Sequence, residues 1–292
     1  MLPLESVPNF SEGRDRATID AIGGALAAHA TLLDVHADPD HHRSVFTLVG
    51  TESELQDALV GGVRVAKERI DLRRHDGVHP RIGAADVVPV VPLRPEDMPR
   101  AKRAARLLAK RITAELGLTT FLYGEVGEGR GPAFFRRGGT EELQRRLEAG
   151  EVAPAYGPPW LDPAAGAVLV GARRPLIAFN VDLRGPVEAA RAIAASIRES
   201  GGGFPGVRAL GLDLPAAGHA QVSMNVEDWE AARLHEIVAR VETEAAAQGA
   251  EVLGCELVGL MPAGAAAQAA GAILRLDGFD VSRVLELRLL DR

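Results

Sequence analysis

Residues 71–86 read DLRRHDGVHPRIGAAD, and the stretch RHDGVHPRIG sets two histidines, His75 and His79, among arginine and aspartate. Histidine has an ordinary pKa near neutrality, so either ring suits general acid–base catalysis without tuning. Pro80 confines the backbone of His79 to extended conformations and helps to fix its ring. His75 lies in the looser RRHDG turn, where a local hydrogen bond would account for it equally well. Arg81 can form a forked pair with a carboxylate, the competing reading being a surface salt bridge. Gly77 and Gly83 are expected to allow tight turns on either side of the histidine.

A second stretch, LLDVHADPDHHRS, gathers Asp34, His36, Asp38, Asp40, His41 and His42, all residue types that ligate divalent ions. A ligand set must converge, and neighbouring side chains on a strand point to opposite faces. A loop is therefore the stronger reading, and no metal is expected. The glycine-rich pieces ESGGGFPG and MPAGAAAQAAGA lack the strand-to-helix spacing of a phosphate or dinucleotide loop. The lone Cys255 cannot form an internal disulfide, and within EVLGCELVGL it reads as a small core residue of a strand.

Composition narrows the function classes. With 292 residues and 47% hydrophobic content the chain can fill two cores. A net charge of −7 argues against nucleic acid as a partner, since that binding rests on many phosphate contacts from a basic face. No apolar run approaches the roughly 20 residues that span a bilayer, and MLPLESVPNF has no basic region followed by an apolar one. A cytoplasmic protein without membrane contact is expected.

The elements that must hold the chemistry alternate along the chain. LESVPNF, TLLDVHA, RSVFTLVG, DVVPVVPL and LTTFLYGE read as strands, and between them lie amphipathic helices such as PEDMPRAKRAARLLAKRITAEL. The second half repeats the order: strand LIAFNVDL, helix VEAARAIAASIRES, strands VRALGLDL and AQVSMNVED, helix EAARLHEIVARVETEAAAQ, strand EVLGCELVGL. Strand, helix, strand, strand, helix, strand is the order of a ferredoxin-like unit. The expected fold is α+β: two ferredoxin-like α/β subdomains, residues 1–174 and 175–292, a structural duplication with a ligand groove between them. The intervening FFRRGGTEELQRRLEAGEVAPAYGPPWLDPAAGAVLVGARRP, rich in glycine and proline, suits an exposed connection with loops lining a cleft.

Six motifs carry a resemblance. VPNFSEGRD, RHDGVHPRIGAADV, LYGE, YGPPWLDPAAGAVLVGARRPLIAFNVDL, IRESGGG and AQVSMNVED follow one another as they do in the glutamate formimidoyltransferases, or formiminotransferases. The chain resembles that family over nearly its whole length, in a form without the cyclodeaminase that animals fuse to it. The resemblance implies transfer of a formimino group from N-formimino-L-glutamate to N5 of tetrahydrofolate, with tetrahydrofolate as co-substrate. The expected partners are these two small molecules and a second copy of the chain.

The resemblance also distributes roles. His79 aligns with the family's catalytic histidine and is expected to act as general acid and base. The loop after the second strand is implied to face the groove, with Asp34 or Asp38 orienting His79 and Arg43 meeting an anion. Residues 156–166 align with the folate-holding stretch, in which Gly157, Pro158 and Gly166 set the backbone path and Trp160 offers a flat face to an aromatic ring. Asn225, in AQVSMNVED, and Arg81 complete the expected substrate contacts. Two alternatives stand beside this reading. The HADPDHHR loop differs from the animal enzymes, which leaves room for a folate-binding relative without turnover, and the donor could be N-formylglutamate.

Overall fold

The structure, a computed structural model, describes residues 2–290. The chain divides into two compact units, Met1–Arg174 and Pro175–Arg292. Each contains its own sheet.

The first unit runs β1 (Leu4–Ser6), β2 (Asn9–Phe10), α1 (Arg16–Ala27), β3 (Thr31–Asp38), β4 (Arg43–Gly50), α2 (Glu52–Arg69), β5 (Ala85–Pro92), α3 (Met98–Leu116), β6 (Thr119–Gly124), α4 (Pro132–Arg136), α5 (Gly139–Glu148) and β7 (Ala167–Ala172). The expected first strand is broken at Val7 and Pro8 into β1 and β2, both of which lie antiparallel between β4 and β5. β3 pairs with the far side of β4. On the other side of β5, β7 is inserted parallel to both β5 and β6.

Local chemistry explains where the helices start and stop. Thr51 and Glu54 form a capping box at the head of α2, each side chain accepting from the other's backbone N–H. Gly117, at φ 69°, ends α3 in the left-handed conformation that glycine adopts without a Cβ penalty. Ile19, Ile22, Leu26, Leu55, Leu59, Leu108 and Ile112 pack with Phe10, Phe46, Val88 and Val90 in one core. Phe121, Tyr123 and Leu169 belong to a second cluster with Phe135, Leu143 and Leu147. Since strand residues alternate between faces, α4 and α5 cover the side of the sheet opposite α1, α2 and α3.

That finding corrects the reading of the 134–175 stretch as an exposed connection. It holds part of α4, all of α5 and the fully buried strand β7. AVLVGA is a continuous apolar run without alternation, the pattern of a strand covered on both faces between parallel neighbours.

The second unit runs β8 (Ile177–Arg184), α6 (Val187–Ile197), β9 (Val207–Leu214), β10 (His219–Val226), α7 (Leu234–Ala247), β11 (Glu251–Val258), α8 (Ala263–Leu274) and α9 (Leu285–Leu290). Its sheet has the order β11, β8, β10, β9, antiparallel throughout. Ile177, Val181, Leu183, Val222, Ile193, Ile197, Ile237 and Val241 form its core. Cys255 is not in that core. β11 is an edge strand with exposed and half-buried positions in alternation, and Cys255 falls on the exposed row. Among the described residues no helix is long and apolar enough to cross a membrane.

Candidate active site

The loop that leaves α2 and enters β5, residues 70–84, meets the β3–β4 turn, residues 39–42, and the two are fastened together by Arg81. Its Nε donates to His79 O at 3.1 Å, Nη2 to His79 O at 2.7 Å and His41 O at 2.8 Å, and Nη1 to His42 O at 2.9 Å, with His75 Nε2 2.5 Å from Nη1. A guanidinium has five N–H donors, four of which are committed to backbone carbonyls here, while the fifth is turned onto the His75 ring. Arg81 is thus a clamp that shapes the site, rather than the free carboxylate fork or surface salt bridge expected for it. Gly77 lies under this clamp. A Cβ there would come within 2.5 Å of both Arg81 Nη2 and His41 O, so close approach, not a turn, requires the glycine. Gly83 is likewise squeezed, its Cβ position 1.9 Å from Ala167 O.

His79 is held by two hydrogen bonds. Arg43, the first residue of β4, places Nη1 2.7 Å from its Nε2, and the Nδ1 side lies 2.8 Å from Pro80 O. Arginine can only donate, so Nε2 accepts and the proton of the neutral ring sits on Nδ1, donated to Pro80 O. The His41 ring stacks against it with centroids 5.8 Å apart. Burial, then the charge of Arg43, then that of Arg136, hold His79 well below the ordinary histidine value. The histidine expected to need no tuning is therefore strongly tuned toward the neutral, proton-accepting form. Neither Asp34 nor Asp38 orients the ring: Asp34 lies within β3 opposite Thr47, and Asp38 accepts from the His41 backbone N–H at 2.6 Å.

His75 sits behind this centre. Gly77 N–H donates to its Nδ1 at 3.1 Å, and its ring lies 4.1 Å from that of His42. Burial, then the Arg81 charge, push it down to about 4. His42 is in the left-handed region at φ 49°, an uncommon place for a side chain of its size.

Three further residues belong to the centre that the sequence did not announce. Asp86, 3% exposed, accepts from Ile82 N–H at 2.8 Å and pairs with Arg136 of α4. Tyr123 of β6 is buried over Gly171 of β7, where a Cβ would come within 2.4 Å of the ring. A signal for Asp86 existed: a carboxylate heading the apolar run DVVPVVP must be paired if buried. Arg136, distant in sequence, had none. Burial, then Arg136, bring Arg43 down to about 9, and burial brings Arg81 to about 10 against the opposing charge of Asp86. Both remain cations at neutral pH.

The 156–166 stretch is anchored to the same sheet. Thr119 Oγ1 donates to Trp160 O at 2.6 Å and lies 2.9 Å from Pro158 O, while Gly166 N–H donates to Asp162 O at 2.8 Å. Gly157 and Gly166 have φ values of 99° and 67°, so both backbone turns depend on glycine. Trp160 is 59% exposed and leaves its indole face open. Gly166 bridges to Gly83, which ties this stretch to the end of the histidine loop. Asn225 lies in the second unit, exposed on β10 opposite Ala178 and Arg208. Among the described residues no three His, Cys, Asp or Glu side chains are grouped to hold a metal ion, the Asp34–His42 stretch included.

The chain is thus a two-unit α+β protein with a cationic histidine centre in its larger unit. It belongs to the formiminotransferase family: the N-terminal subdomain of the formiminotransferase domain matches residues 3–173, and the formiminotransferase domain matches residues 178–282. It is 39% identical over 294 residues to the glutamate formimidoyltransferase of Streptococcus pyogenes serotype M1, covering 98% of each chain. It is 38% identical to that of Thermoplasma acidophilum, covering 98% of this chain and 97% of the relative. The formimidoyltransferase-cyclodeaminase of Sus scrofa is 40% identical over 271 residues, which span 89% of this chain and 50% of that one. A solved microcompartment protein from Desulfitobacterium hafniense DCB matches at 10% identity with a TM-score of 0.20, a likeness that carries no argument.

Proposed function

We propose that this protein transfers the formimino group of N-formimino-L-glutamate to N5 of tetrahydrofolate, releasing L-glutamate, with His79 as the acid–base group. The observation that carries the reading is the His79 ring itself, neutral, proton-bearing on Nδ1 and surrounded by arginines. The names of the full-length relatives support the reaction class.

Tetrahydrofolate supplies the attacking secondary amine. His79 takes up the proton that this amine must lose as it attacks the formimino carbon, and returns one to the departing amino nitrogen, so one ring serves both halves of the exchange. Without that proton the glutamate nitrogen would leave as an anion, a poor leaving group. The cationic surroundings suit a donor with two carboxylates. Trp160 offers the open aromatic face for the folate rings, on a backbone path set by Gly157, Pro158 and Gly166. Both units, sharing the order strand, helix, strand, strand, helix, strand, are read as ferredoxin-like.

The test is to incubate the protein with tetrahydrofolate and either N-formimino-L-glutamate or N-formyl-L-glutamate while following the folate spectrum. Turnover with the formimino donor is expected; turnover with the formyl donor alone would reassign the substrate, and binding without turnover would make the protein a folate-binding relative. Since His79 must be deprotonated to accept, and burial and Arg43 lower its pKa, the acid limb of kcat/KM should lie below the ordinary histidine value of about 6.5.

A further inference from the structure

Around His79 two guanidinium Nε donors, those of Arg43 and Arg136, are buried without a hydrogen-bond partner. Buried N–H groups are ordinarily paired, so each of these two orphans calls for an acceptor. Charge points the same way. Arg43, Arg81 and Arg136 surround one buried carboxylate, Asp86, and each of the first two has its pKa lowered by Arg136. Arg81 is turned onto the carbonyls of His41, His42 and His79, which leaves Arg43 and Arg136.

There is also an obstacle to catalysis in the structure. The only ring nitrogen of His79 able to accept a proton is Nε2, and Arg43 covers it at 2.7 Å. An ionised carboxylate is a stronger acceptor for a guanidinium than a neutral imidazole. We infer that Arg43 and Arg136 form a seat for one carboxylate of a dicarboxylate donor, and that filling it draws Arg43 off Nε2 and frees the base. The inference rests on His79 being the acid–base group, and it makes Arg43 a positioning residue. Proton abstraction then becomes available only when the donor is seated.

The experiment is an NMR titration of the histidine rings, assigned with His79→Ala, in the absence of tetrahydrofolate. N-acetyl-L-glutamate serves as the probe, a dicarboxylate without a formimino group. In the wild type the probe should shift the His79 titration to higher pH. In Arg43→Gln the titration should already be shifted and should respond no further, and Arg136→Gln should weaken the response. No shift at saturation, no detectable binding of the probe, or an equal response in wild type and Arg43→Gln would each overturn the proposal. If Arg43→Gln does not fold, Arg43→Lys, which keeps the charge and loses the fork, replaces it and should weaken the response; a response equal to the wild type would overturn the proposal. Because no turnover is measured, a chain that transfers formimino groups without the shift refutes only the seat, and one that shows the shift without transfer refutes only the assigned reaction.

Discussion

Both units place their first four strand positions in the same order, yet only one carries the histidine centre. In the first unit β3, β4, the β1–β2 line and β5 lie side by side, and in the second β9, β10, β8 and β11 do. The turns that join β3 to β4 and β9 to β10 are equally short, residues 39–42 and 215–218. Their contents differ: PDHH in one, PAAG in the other. The connection that enters the last strand differs in length as well. It runs over residues 70–84 before β5 and only 248–250 before β11. One extended connection laid against one polar turn is enough to make a site, while the sheet and helices beneath need little change. Function of this kind lives in loops on a rigid frame.

The most severe way to test this division is at His79. We predict that His79→Ala folds normally and loses turnover by about 10² to 10⁴, the usual worth of a positioned acid–base group. His219→Ala, at the position of the second unit that matches Arg43 in strand order, should leave kcat within about twofold, well below the worth of any group acting in the transition state. Equal losses would end the claim that only one unit carries chemistry.

Next in size is the clamp. Arg81→Met strips the His41, His42 and His79 carbonyls of a donor and should lower stability by about 3 kcal/mol, with the loss confined to the first unit. Denaturant unfolding resolved by fragment hydrogen exchange would show it. A loss spread over both units would mean that the clamp holds more than two loops together.

A matched pair of glycines gives a smaller contrast. Gly77→Ala forces a Cβ into Arg81 and His41 and should cost about 1–3 kcal/mol. Gly249, in the short connection of the second unit, has φ 67° and open space around it, so Gly249→Ala should cost only the left-handed strain, about 1 kcal/mol. The order of the two midpoints in urea decides between crowding and conformation as the dominant constraint.

The smallest expected effect is a slope. His75 is held at about 4 in the folded state and returns to about 6.5 when unfolded. Its folded pKa is lowered, so its contribution is fully present above the unfolded value and is lost as pH falls through the window down to about 4. Stability should therefore decline with acid across that window, and His75→Asn should flatten the decline. An unchanged slope would place the acid sensitivity elsewhere.

Much of the frame was legible because its signals are local. The Thr51–Glu54 box lies within one helical turn, and the alternation in AQVSMNVED lies within one strand. β7 was passed over because glycine and proline in the surrounding stretch outweighed a short apolar run without alternation. The centre was legible only as an inventory. His79, Arg43 and Arg81 could be named from the motifs, but not their couplings. That Arg43 grips His79 depends on strand β4 meeting a loop that begins after α2, and that Arg81 turns inward depends on carbonyls with no sequence signature. Long-range geometry chose between the roles the residue types allowed.

The position of β7 has a consequence for the order in which this protein can be made. Strand β6 is synthesised before β7, yet β7 lies between β5 and β6 and, among the described residues, is the one strand that pairs with β6. Until residue 172 has left the ribosome, two strand edges stand open and α3 covers a gap. Open edges of this kind recruit other strands, so a nascent chain stalled before residue 167 should be the species most prone to chaperone capture and to protease cutting within β6.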